Sequence, residues 1–80
     1  MLERILQGDL PSLVFRRLID TDPSITNIRI AELLGDEFTE LSSEAIQLAW
    51  HWKGPNKEQG LSDENLDVLI LKLLKEANYL

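Results

Sequence analysis

Apolar residues along this chain recur at three- and four-residue spacings, and no stretch alternates apolar with polar over strand length. That periodicity predicts helices and no sheet. A short first helix is expected over about Leu2 to Gln7, closed by Gly8 in a left-handed cap. Asp9 reads as the N-cap of a second helix, with Pro11 in the first turn and an end near Ile19. Its apolar residues, Leu10, Leu13, Val14, Phe15, Leu18 and Ile19, cover a wide arc and imply contacts on two sides.

Thr21-Asp22-Pro23-Ser24 is a turn, because Pro23 disfavours helix at Asp22. A third helix is predicted from Asn27 to Leu34, ended by Gly35, with Asp36 to Leu41 as a loop anchored by Phe38. Ser42 or Ser43 caps a fourth, and Leu41 and Ile46 have the spacing of a hydrophobic staple. Ala45, Leu48, Ala49 and Trp52 make its inner face, and Glu44, Gln47 and His51 its outer one. Lys53-Gly54-Pro55 stops it, and Asn56 to Gly60 reads as a polar linker. Ser62 caps the last helix, Asp63 and Glu64 favour its N-terminal dipole, and Leu61 and Leu66 are spaced as a second staple. The expectation is therefore an all-α bundle of about five short helices around one core, a single domain over 1–80.

The last helix carries a core stripe of Leu66, Leu69, Ile70, Leu73 and Ala77. Val68 and Leu71 stand off that stripe, among Glu64, Lys72 and Lys75. Three explanations are open: the first helix covers them through Leu2, Ile5 and Leu6, they form a self-complementary patch in a homodimer, or they are isolated exposed residues. Trp50, two residues from the core-facing Trp52, points to another side of its helix and is either a core edge or an aromatic contact for a partner. Trp50, Val68 and Leu71 are the candidate partner-contact residues.

Composition narrows the function classes. At 80 residues and 44% apolar content, the chain can build a core without help. It has no cysteine, so neither a disulfide nor a thiolate metal site is available. No secretory signal pattern and no roughly 20-residue apolar run is present, which reads as a soluble, cytoplasmic protein with no membrane association.

Candidate chemistry is sparse. The single histidine, His51, has no second His to share a zinc site with and lies on a polar helix face. Asp20-Thr21-Asp22 begins like a calcium loop, but Ile25 stands where that loop needs glycine and Ala31 where it needs glutamate. Size and acidity are shared with acyl carrier proteins, yet their Asp-Ser attachment dipeptide occurs nowhere. No catalytic, cofactor or metal residue is assigned, and the protein reads as a non-enzyme.

One motif remains. Ile30-Ala31-Glu32-Leu33-Leu34-Gly35, followed by a Ser-capped helix, has the small-residue and glycine spacing of a helix-turn-helix. Yet the interval from Gly35 to Ser42 is long for that motif, and Glu32, Asp36, Glu37, Glu40 and Glu44 include no base among them. Phosphate binding needs Lys and Arg, so nucleic acid is disfavoured. The leading expectation is a protein–protein interaction module whose partner is another protein or itself. The alternative is a helix-turn-helix DNA-binding regulator, with Arg16, Arg17 and Arg29 as its first phosphate contacts.

Overall fold

The computed structural model describes residues 2–54 and 59–80. Pro55 of the expected helix stop, and Asn56 to Glu58 of the expected linker, lie outside the described residues. Four α-helices are present among the described residues: α1 (Pro11–Thr21), α2 (Asn27–Glu37), α3 (Ser43–His51) and α4 (Asp63–Glu76). The expected first helix is instead one 3₁₀ turn, Leu2–Ile5. Six residues from Leu2 to Gln7 are too few to offset helix nucleation, and Gly8, at φ 111°, turns the chain.

Leu2 and Ile5 are buried, and the 3₁₀ turn packs on α1 and α2. Val68 nevertheless stays 67% exposed, so cover by this turn, the first of the three explanations, does not hold for it.

The core joins Val14, Phe15 and Leu18 of α1, Ile30, Ala31 and Leu34 of α2, Ala45 and Ala49 of α3, and Leu66, Ile70, Leu73 and Leu74 of α4. Phe38 and Trp52 close it from the ends of α2 and α3. The Cα radius of gyration is 11.4 Å, close to the roughly 11.6 Å of a packed chain this long.

Two boundaries differ from expectation for tertiary reasons. Gly35 does not end α2, which runs on to Glu37. A Cβ at Gly35 would stand 3.2 Å from Ile46 Cδ1, so the missing side chain serves helix packing rather than a cap. The N-cap of α1 is Leu10, not Asp9, and makes no side-chain cap bond. The Asp9 carboxylate instead accepts from Arg4 Nε at 3.1 Å and Arg17 Nη1 at 2.7 Å.

The buried face of α4 is also rotated from the expected stripe. Leu66, Ile70 and Leu73 are buried as predicted, but Leu74 and Asp67 join them, while Leu69 and Ala77 are only partly buried. The rotation follows from packing on α1, which draws in the Asp67 side of the helix. The helix ends in a Schellman turn. Asn78 sits at φ 67°, its N–H donates to Lys75 O, and the Tyr79 N–H donates to Leu74 O. Tyr79 then stacks edge-on against Phe38, and its Oη accepts from the Glu40 N–H at 2.9 Å.

Candidate interaction surface

The seam between α1 and α4 is built on two polar clasps. In the first, the Asp67 carboxylate accepts from the Ser12 N–H at 2.7 Å and from Ser12 Oγ at 2.8 Å, both residues being buried. Ser12 lies in the first turn of α1, where backbone N–H groups have no partner within the helix. Asp67 supplies from α4 the cap that α1 lacks in its own sequence.

In the second clasp, the Arg16 guanidinium donates to both oxygens of Asp63 at 3.0 Å, the fork geometry that suits Arg to a carboxylate. Asp63 Oδ1 also accepts from the Trp52 indole N–H at 2.8 Å, and the Arg16 guanidinium lies 5.3 Å from the centre of the Trp52 ring. Trp52 is fully buried and meets Phe15 edge-on at 5.5 Å.

The connection that delivers α4 is pinned beside this tryptophan. The Leu61 N–H donates to His51 O at 2.7 Å, and the Lys53 N–H donates to Leu61 O at 2.8 Å. Gly60 is required there: at φ 145° its Cβ would fall 2.6 Å from His51 O.

Since Ser12 meets Asp67 and Arg16 meets Asp63, one turn forward on α1 is one turn back on α4. The two helices are antiparallel. Leu13 and Val68 each follow a member of the buried Ser12–Asp67 pair, about 100° further round their helices. In antiparallel helices the same sense of rotation carries both to one outer face. Val68 is 67% exposed and Leu13 43%, and Leu10, the N-cap of α1, is 49% exposed. Leu71 is partly buried against the core. The seam thus holds one buried polar pair, Ser12–Asp67, and one exposed pair, Arg16–Asp63, with apolar side chains on its outer face.

Trp50 is not part of this face. It lies at the end of α3, 44% exposed, and its carbonyl accepts from Asn27 Nδ2 at 3.4 Å. The same Asn27 amide bonds the Trp52 carbonyl at 2.7 Å, so Asn27 ties the start of α2 to the end of α3. Of the three expected contact residues, Val68 and Leu71 fall on one helix and Trp50 on another side of the bundle. Sequence reading places Leu10 and Leu13 in a wide apolar arc with contacts on two sides, but it has no means of grouping Leu13 with Val68, because that depends on how α1 and α4 pack.

The exposed acids of the expected helix-turn-helix lie on α2, on α3 and between them. Glu32, Asp36, Glu37, Glu40 and Glu44 are all exposed. Glu32 pairs with Arg29 at 3.0 Å. Leu2, Leu18 and Leu33 floor a shallow groove of about 360 Å³, with Asp36 and Glu37 on its rim. His51 is exposed on α3. Among the described residues, no helix is long and apolar enough to cross a membrane, and no group of three or more His, Asp or Glu side chains is placed to hold a metal ion. Every buried side-chain nitrogen or oxygen among them has a hydrogen-bond partner. No protein-family model, curated protein or solved structure matches the chain.

Proposed function

We propose that the protein is a non-enzymatic, cytoplasmic protein–protein interaction module that binds through the outer face of α1 and α4. The observation carrying this reading is the grouping of Leu10, Leu13 and Val68 on two packed helices. Single exposed apolar residues are ordinary. Several together on one face form the kind of patch that partners cover.

The test is affinity capture from the native cell, with nuclease treatment as a control. A protein retained after nuclease and lost with Val68→Lys or Leu13→Lys supports this function. Capture that survives both substitutions contradicts it.

The second reading, a helix-turn-helix DNA-binding regulator, draws on the close approach of Ile46 to Gly35 between α2 and α3. The exposed acids around that pair oppose it, since cationic side chains supply most non-specific DNA affinity. Micromolar binding to duplex DNA that weakens steeply with added salt would favour it over the interaction module.

A further inference from the structure

We propose that the partner for this face is a second copy of the chain, docked antiparallel along α4 about a two-fold axis between Leu69 and Ile70. This rests on the interaction-module reading and names its partner.

Glu64, Val68, Leu71 and Lys75 follow one another at spacings of four, three and four residues on α4. At about 100° per residue they fall within an arc of roughly 60° on the outer face. Their order is symmetric in position and opposite in charge. Glu64 and Lys75 are equally far from the midpoint between Leu69 and Ile70, as are Val68 and Leu71. An antiparallel copy therefore sets Glu64 against Lys75 of the partner subunit, and Val68 against Leu71 of the partner subunit, each twice. A two-fold interface has to be complementary to itself in this way.

Two further observations fit that occupant. Glu64 and Lys75 are exposed, and neither makes an ion pair among the described residues. Arg16 and Arg17 of α1 are already committed, to Asp63 and Asp9. The pairing of Ser12 with Asp67 and Arg16 with Asp63 also sets the level of α1. Carried back to the N-cap, that register puts the exposed Leu10 at the level of Leu69 along α4. Apolar side chains thus gather at the centre of the contact and opposite charges at its two ends. That is the usual division between the core and rim of an interface.

Charge exchange with sedimentation equilibrium and native mass spectrometry tests this. Wild-type protein should associate to a dimer. Glu64→Lys and Lys75→Glu should each weaken it by about tenfold or more, through two like-charge contacts per dimer. The doubly exchanged chain should recover it, and an equimolar mixture of the two single variants should form a heterodimer. Circular dichroism of dilute samples should show a folded helical chain in every variant, since reversing Glu64 or Lys75 removes only a favourable charge at one end of the α4 dipole and breaks no ion pair within the monomer. A wild-type chain that is still monomeric at concentrations of about 1 mM overturns the proposal. So does a dimer indifferent to both single exchanges. If the chain is monomeric but Val68→Lys still abolishes capture of another protein, the interaction-module function stands and only self-association falls.

Discussion

Asp67 of α4 caps α1 across the seam, its two carboxylate oxygens taking the N–H and Oγ of Ser12 at 2.7 and 2.8 Å. Pro11 opens that helix without an N–H of its own, and Leu10 before it offers no side-chain acceptor. The first turn therefore depends on a residue 55 positions away. Burial of both groups makes the dependence strict, because a buried N–H left unpaired costs more than the bond contributes.

Asp67→Ala should accordingly destabilise the protein by about 1–3 kcal/mol. Ser12→Ala should cost less, since the backbone N–H keeps its acceptor. Chemical denaturation of the two variants checks the order. Equal, wild-type stabilities for both would mean that the clasp does not form.

Rotation of α4 toward α1 sets the next expectation. Leu74→Ala and Leu73→Ala, both at buried positions, should cost about 2–5 kcal/mol. Leu69→Ala, only partly buried, should cost clearly less than Leu74→Ala. Thermal melts that rank Leu69 above Leu74 would place the buried face back on the stripe that simple periodicity predicts.

Which features could be read locally follows from where the partners lie. Ser62 caps α4 by accepting from the Asn65 N–H three residues on, so its role was legible. The left-handed Gly8, the turn at Pro23, the buried Phe38 and the buried Trp52 were legible for the same reason. The cap of α1 was not, because its acceptor is remote. One signal pointed to it: Asp67 interrupts an apolar run next to Leu66 and three residues before Ile70, where an acid at the core margin needs a specific partner. Gly35 looked like a helix end by local rules and proved to be a packing site for Ile46. Val68 could be recognised as lying off the core stripe. Its grouping with Leu13 required the antiparallel seam.

Asp9 gives a pH-dependent expectation. Hydrogen bonds from Arg17 first, then Arg4, hold its carboxyl below the ordinary value of 3.8. A depressed folded-state pKa contributes stability that is fully present above the unfolded value and lost as pH falls through the folded one. Wild-type stability should thus fall as the pH drops below about 3.8, and Asp9→Asn should flatten that part of the profile without changing its shape above pH 5. A variant profile parallel to the wild type throughout would show that the two arginines do not act on Asp9.

The central claim is that α4 uses its inner face to hold the monomer and its outer stripe to meet a partner copy. Dilution followed by residue-resolved NMR reads both faces in one sample. As concentration rises, resonances of Glu64, Val68, Leu71 and Lys75 should shift together along one binding curve, while the Trp52 indole N–H and the Ser12 amide stay fixed. Resonances independent of concentration, or shifts centred on Trp50 or Ile28 instead, would contradict it.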